Sequence, residues 1–593
     1  MKNILPLLIC MFCAQGIFCQ DPELPHWETK EEQALRRWQA FTNPGMDKLT
    51  PTPPPHPVRH MAEWEELEAL AITWRVPSYN SIYTEMVRYA SQEVRVLIIV
   101  GDNAAKTQIT NILQANNIGM DNVEFIIADN NSVWMRDYGP QCVYANDVEE
   151  EYIIDWIYNR PRPKDNLLPV TIGDYLGIPV YSTTEAPDDL VHTGGNFTSD
   201  GLGTGFSSKL VLEENGPNSQ YLVGLPHTEA EIDELMNTYM GINRYIKMNT
   251  LPYDEIHHID MHMKLLDEET ILMGEYPEGM ADGPAIEANL QYVLSNFNSP
   301  FGKPYKVVRI LQPPKNGLYP PNQFSDYRTY TNSVFVNKTI MVPFYEEQYD
   351  TIAQRIYEEN FPGYKVVGIN CNSIISSLGA LHCITKEIGV KDPLWIVHDR
   401  WENIEDNNSW GDYEITATIK HKSGIANAQV YFTTDTSLAY SPLDMVLVDA
   451  STDTWSASIP HQDNGTEIFY YIHAEANSSK KQVRPLVAPV GYYNFTVNDE
   501  FSAVSEKTTI QFQPIYPNPA GAVAVLPVST NLSEHANIEV RDVFGRKVET
   551  IFSGTLPTGA SNYFLQTGTY APGAYFVTLK TNTSMMTQKL VVR

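Results

Sequence analysis

The segment "WIYNRPRPKDN" (156–166) sets Arg160 and Arg162 two residues apart, each followed by a proline, in a chain with 41 Lys+Arg against 72 Asp+Glu. Proline fixes φ and restrains its neighbour, so "RPRP" is expected to be extended and stiff, with two guanidinium forks held side by side. Five polar clusters raise a second question. They are "WMRDYGPQCVY" (134–144), "HTGGNFTSDGLGTGFSS" (192–208), "HIDMHMKLLDEETILMG" (258–274), "YTNSVFVNKTIMVP" (330–343) and "LGALHCITKEI" (378–388). Several share one grammar: a polar residue, a short run, then an apolar strand. If they converge, the meeting point holds Asp137, Asn196, His258, Asp260, Asn332 and Cys383. Cysteine with histidine is a nucleophile and its acid/base partner. Two carboxylates on opposite sides of a planar guanidinium can each accept a pair of its hydrogen bonds, which aligns a thiolate with the guanidinium carbon.

Taken singly, these residues have plainer readings. Asp137 follows Arg136 and suits a local ion pair; His258 follows His257 and suits a solvated face. Asp260 suits a turn, Asn332 a loop cap, and Cys383 a small buried hydrophobe. Cys142 and Cys371 keep that last reading. Recurrence at matching repeat positions is what favours chemistry.

The elements that must carry these clusters alternate between strand and helix from about residue 60 to 395. "VRVLIIVGD" (94–102), "VEFIIAD" (123–129) and "KVVGIN" (365–370) read as strands. "NAAKTQITNILQANN" (103–117), "TEAEIDELMNTYM" (228–240) and "EEQYDTIAQRIYEEN" (346–360) read as helices. Repeated ββαβ units of this kind would close into a propeller with the polar clusters facing one axis. After about 400, strands such as "EITATIKH" and "EIFYYIHAEA" alternate apolar and polar residues, which indicates a β-sandwich, and a second β set follows from about 510. The expected division is a signal peptide (1–20), an N-terminal lead-in (21–57), an α/β catalytic domain (58–396), an immunoglobulin-like sandwich (400–500) and a terminal β domain (510–593).

A formal net charge of −31 repels phosphate backbones, so no nucleic acid is expected as a partner. Lys2 and the apolar run from Ile4 to Phe18 read as an export signal, with cleavage near "AQG" or "FCQ". That leaves Cys142, Cys371 and Cys383, an odd number that implies a free thiol, and no spacing suggests a zinc site.

"WMRDYGP", "GGN…DG.G", "HID", "YTNS…VP" and "ALHC.T.E" resemble the guanidine-modifying pentein superfamily, in particular secreted bacterial peptidylarginine deiminases, with agmatine deiminases as near relatives. The resemblance spans roughly residues 55–395 and implies a fold class: an α/β propeller of five ββαβ-type repeats, here followed by two β-sandwich domains. It implies Cys383 as nucleophile, His258 as general acid and then base, Asp137 and Asp260 as guanidinium holders and Asn332 as a supporting asparagine. It gives Trp134 a place along the substrate and makes Arg160 and Arg162 a clamp for the substrate's C-terminal carboxylate. No metal and no cofactor is implied. The expected reaction is attack of the Cys383 thiolate, favoured by the substrate cation and by His258, loss of ammonia, and hydrolysis of the thiouronium to a ureido group. "ISSLGALHC" resembles the glycine-rich approach of agmatine deiminases more than that of the peptidyl enzyme, and Met261 and Met263 also depart from it, so agmatine or free arginine is the alternative substrate. A thiol protease would leave Asp137, Asp260 and the repeats without a task. A surface adhesin would use only the β modules. "YPNPA", "VRDVFGRKV", "Y.PGAYFV.L" and "KLVVR" resemble a type IX secretion sorting domain. The partners implied are peptides or proteins bearing arginine and the export machinery, and the location implied is the cell surface or the medium.

Overall fold

The computed structural model describes residues 23–38, 52–222, 224–277, 279–402, 404–406, 411–499, 510–531, 533–581 and 584–593. The expected signal peptide lies outside them. Among the described residues, no helix is long and apolar enough to cross a membrane.

Residues 58–389 form a mixed α/β unit of five small sheets. Four of them repeat one pattern, an antiparallel pair extended by a parallel strand. Thr198–Ser199, Thr204–Ser208 and Arg244–Met248 are one example; Met263–Leu265, Thr270–Glu275 and Lys306–Leu311 are the next. Val334–Val336, Thr339–Phe344 and Lys365–Asn370 follow, and Gln141–Ala145, Glu151–Tyr158 and Val180–Thr183 share the pattern. A parallel step requires a crossover, and the helices Leu168–Leu176, Glu229–Met240, Gly283–Asn296 and Glu347–Asn360 supply it.

The fifth sheet joins the two ends of the unit. Thr385–Gly389 pairs antiparallel with Leu67–Thr73, which runs parallel to Arg95–Val100, and that strand parallel to Val123–Ile127. "RVLIIV" is almost continuously apolar because both faces of a parallel strand are covered. Helix Glu229–Met240 starts with a capping box between Thr228 and Glu231.

Beyond the α/β unit, Tyr413–Lys420 and Thr454–Ile459 belong to one sheet, and Ile425–Thr433, Glu467–Ala476 and Tyr493–Asp499 to another. Their inward residues, among them Ile415, Val430, Tyr470 and Phe495, share one core, so this is a two-sheet sandwich. Arg484 pairs with Glu268 at 2.9 Å and Arg400 with Glu269 at 2.8 Å, which fastens the sandwich to the α/β unit. Two further sheets from Ile510 onward enclose a third core around Leu526, Ile538 and Val577. They dock on the α/β unit through Tyr516, whose ring lies 3.4 Å from the Arg355 guanidinium.

One expectation fails in detail. The "RPRP" segment is not extended: Arg162 N–H donates to Arg160 C=O at 2.8 Å, and the chain turns into the helical residues 165–176. Proline at the first position of a helix or turn is as acceptable as proline in an extended run, and the turn satisfies the Arg162 N–H locally.

Candidate active site

Each polar cluster sits on a short turn immediately before an antiparallel strand pair. Met135–Tyr138, Gly194–Asn196, Ile259–Met261 and His382–Ile384 are single helical turns, and residues 328–333 are the equivalent lead into Val334–Val336. One sequence grammar therefore produces a single helical turn four times and an irregular lead-in once.

At the meeting point Cys383 is fully buried. Its S–H donates to Asp260 Oδ2 at 3.4 Å, and Asn332 Nδ2 donates to its sulfur at 3.1 Å. His382 Nδ1 and Asp260 Oδ2 lie 2.8 Å apart, and His382 Nε2 lies 2.8 Å from Glu63 Oε1. Asp137 is held by the backbone N–H of Gly195 at 3.3 Å and faces His258 Nδ1 at 3.6 Å. Thr193 Oγ1 is 3.4 Å from the other His258 nitrogen. The local ion pair that the plainer reading gave Arg136 and Asp137 is absent among the described residues. Arg136 instead makes a bidentate pair with Glu387 at 2.8 and 2.7 Å, and the partners of the Asp137 carboxylate are His26, His258 and the Gly195 N–H.

Two glycines make this proximity possible. A Cβ on Gly195 would stand 2.5 Å from His258 Nδ1, and one on Gly379 would stand 2.4 Å from Trp134 Cζ3 and 3.0 Å from Cys383 Cβ. Asn196, by contrast, exchanges hydrogen bonds with the Ser208 backbone and serves the scaffold.

The electrostatics separate the groups. Burial pushes the Cys383 thiol well above its ordinary range, and the carboxylates of Asp260 and Asp137 push it further. Burial would also raise Asp260, but the hydrogen bond and charge of His382 outweigh it and hold that carboxyl below its usual range. Asp137 is depressed too, burial being overcome by His26 and His258. Burial lowers His258 to about 3 against the opposing pull of Asp137, so its imidazole is neutral and does not favour a thiolate as expected.

Sequence reasoning missed His382 and Glu63, and above all His26. Expected to be part of a lead-in, it is fully buried in the site. Its ring stacks on Trp134 with centroids 4.2 Å apart and an interplanar angle of 4°, and meets His258 edge-on at 4.8 Å. His26 Nε2 lies 2.5 Å from Asp137 Oδ2 and its Nδ1 2.6 Å from Leu378 O. Arg160 Nε donates to His26 C=O at 2.9 Å. Arg162 donates to Pro25 C=O at 2.7 Å, to Trp27 C=O at 3.2 Å and to the Glu32 carboxylate at 2.8 Å. The two arginines thus grip another stretch of the chain. A lone histidine in "LPHWE" carries no sequence signal for this. His26, Asp137 and His258 also bring ligand atoms within 4.8 Å of one another, close enough to hold a metal ion. The His26–Asp137 hydrogen bond already satisfies two of those atoms, while His258 Nδ1 has no hydrogen-bond partner among the described residues.

Residues 59–388, more than half of the chain, match the model of the Porphyromonas-type peptidyl-arginine deiminase family. The chain belongs to that family. As a family member it is an arginine or agmatine deiminase-type hydrolase acting on guanidino C–N bonds. Among its relatives, a protein of Mycoplasma mycoides subsp. mycoides is 24% identical over 57% of this chain and 98% of its own length. One of Legionella pneumophila is 27% identical over 55% and 94%. Both carry the name "Putative agmatine deiminase". Among solved structures, the agmatine deiminase of Enterococcus faecalis is 20% identical, covering 56% of this chain and 96% of that one with a TM-score of 0.48. Residues 514–593 match the secretion system C-terminal sorting domain, so this deiminase carries a type IX export signal and is directed to the cell surface or the extracellular space.

Proposed function

We propose that the protein hydrolyses the guanidinium of a C-terminal peptidyl arginine to citrulline and ammonia. One observation carries this reading: the residue whose side chain reaches Asp137 has its own carbonyl oxygen on Arg160. In a peptide ending at that residue, the carbonyl is one arm of the α-carboxylate. Arg160 and Arg162 then bind a negative charge, as their buried position in an acidic chain favours. An arginine side chain is longer than that of histidine, so its guanidinium passes Asp137 toward Cys383, stacking on Trp134 as His26 does.

The chemistry follows from the separated groups. Asp137 and Asp260 hold the guanidinium between them, and the arriving cation offsets the two charges that add to burial in keeping the Cys383 thiol protonated. The substrate thereby promotes its own nucleophile. The sulfur adds to the guanidinium carbon, with the amide of Asn332 directed at it. Neutral His258 accepts the proton that the thiol gives up and hands it to departing ammonia. It then takes a proton from water, which adds to the thiouronium; the C–S bond breaks, leaving the ureido group and a free thiol. The five sheets are read as a propeller and the two later units as an immunoglobulin-like sandwich (400–500) and the sorting domain (510–593), with the catalytic domain at 58–396.

Agmatine deimination is the second reading, favoured by the glycine-rich approach to Cys383. Citrulline assays on a peptide ending in arginine, the same peptide amidated, agmatine and free arginine decide between them. The acid peptide is expected to be the best substrate. Agmatine turning over faster than the acid peptide would overturn the assignment.

A further inference from the structure

The segment around His26 makes more contacts than a passing loop requires. Leu24 C=O accepts from Trp134 Nε1 at 3.0 Å, and His26 N–H donates to Ser377 C=O at 3.0 Å. With the Arg160 and Arg162 bonds, consecutive carbonyls of residues 24–27 each have a donor from the site. Beyond them Glu32 is anchored twice. Its carboxylate pairs with Arg162, and it forms a reciprocal box with Thr29 at the start of helix Lys30–Trp38. Glu23 pairs with Arg75 at 2.9 Å at the near end. His26 itself fills the position between Trp134, Asp137 and His258, and Cys383 beneath has no exposed surface.

Resting on the deiminase reading and deepening it, we infer that residues 23–32 are an intramolecular pseudosubstrate. The segment occupies the substrate groove as a peptide would, with His26 where the arginine side chain enters, and the chain is latent until the segment is displaced or cut away. Two consequences follow. The groove reads main chain over residues 24–27, where its donors meet carbonyl oxygens, and one side chain beyond, the Glu32 carboxylate on Arg162. The ligands that compete are therefore peptides carrying a planar cationic side chain and a carboxylate close behind it, the pattern that Glu32 supplies here.

The test uses the full-length chain and its His26→Ala/Glu32→Ala variant. The rate at which iodoacetamide modifies Cys383, located by peptide mass spectrometry, is expected to rise at least tenfold in the variant. Citrulline formation should rise by a similar factor. A synthetic peptide of residues 23–38 added in trans should restore protection of the thiol. An unchanged modification rate in a variant that melts like the wild type would overturn the inference. Labelling at Cys142 and Cys371 as well would mark an unfolded variant. In that case the single substitution Glu32→Gln, measured in the same way, decides. Because thiol exposure does not require turnover, the two readings fail separately. Exposure without citrulline from any substrate refutes the deiminase assignment; equal citrulline rates in wild type and variant refute the latency.

Discussion

The side-chain amide of Asn332 points its NH2 at the sulfur of Cys383, 3.1 Å away, because its oxygen is already taken. That oxygen accepts the backbone N–H groups of Ala380, His382 and Cys383 at 3.2, 3.0 and 3.3 Å. Three donors on one side fix the orientation of the amide, and the sulfur receives a donor without the charge of a lysine or protonated histidine. Asp260 accepts the S–H from the other direction. A thiol placed so is stable as a thiol and becomes a nucleophile only when a cation changes the balance.

Replacing Asp260 with asparagine should therefore move two quantities in opposite directions. Removing a carboxylate that raises the thiol shifts the inflection of the Cys383 alkylation rate to lower pH. The same change removes one holder of the guanidinium, and kcat/KM should fall by about 10²–10³. A pH profile of alkylation beside steady-state kinetics checks both. An inflection that stays in place would remove Asp260 from the account of the thiol.

Arg160→Gln should discriminate between substrates. Losing a charged hydrogen bond costs about 1.5–3 kcal/mol, so KM for a peptide ending in arginine is expected to rise on the order of tenfold to a hundredfold. Agmatine, without a carboxylate, should be turned over equally with and without the substitution, both measured in the His26→Ala/Glu32→Ala background, where loss of the Arg160 bond to His26 C=O does not itself open the site. Parallel kinetics on the two substrates measure this directly.

Gly379→Ala places a methyl group 2.4 Å from Trp134 and 3.0 Å from Cys383 Cβ. Overpacking of this kind costs about 1–3 kcal/mol, and the atoms that must shift are those of the site. Deiminase activity should fall at least tenfold while the chain remains folded by circular dichroism. Retained activity would mean that the indole has room to move.

Glu151 offers a stability test away from the site. Burial, the largest influence, raises its carboxyl to about 8 from 4.5. A group raised in the folded state stabilises fully below its unfolded pKa and loses that contribution as pH climbs through the folded one. Relative to Glu151→Gln, the wild type should thus weaken between pH 4.5 and 8, on the order of 1 kcal/mol per unit, and level off above. Urea midpoints of both chains across that range give the difference.

Much of the scaffold was legible because its signals are local. Strand "RVLIIV" and helix Glu229–Met240 fall where periodicity puts them. Cys383, Asp260, Asn332, Asp137 and His258 were proposed from the sequence because each falls in a polar cluster that leads into a strand, and the structure brings the five together. His382 and Glu63 were not, since a carboxylate at position 63 gives no sign that it will meet a histidine from the far end of the unit. His26 was invisible for the same reason, its partners being set by tertiary contact alone. The doubled arginines were recognised, but the turn between them was missed because proline suits both backbone shapes.

Cys383 stands two residues before Thr385–Gly389, the strand that pairs back to Leu67–Thr73. The sulfur and the seam that joins both ends of the unit are one piece of chain, made after every other member of the site. A ribosome-bound precursor already carries Asp137, His258 and Asp260 but has nothing with which to attack. Completing the nucleophile and closing the unit are thus one and the same event of synthesis.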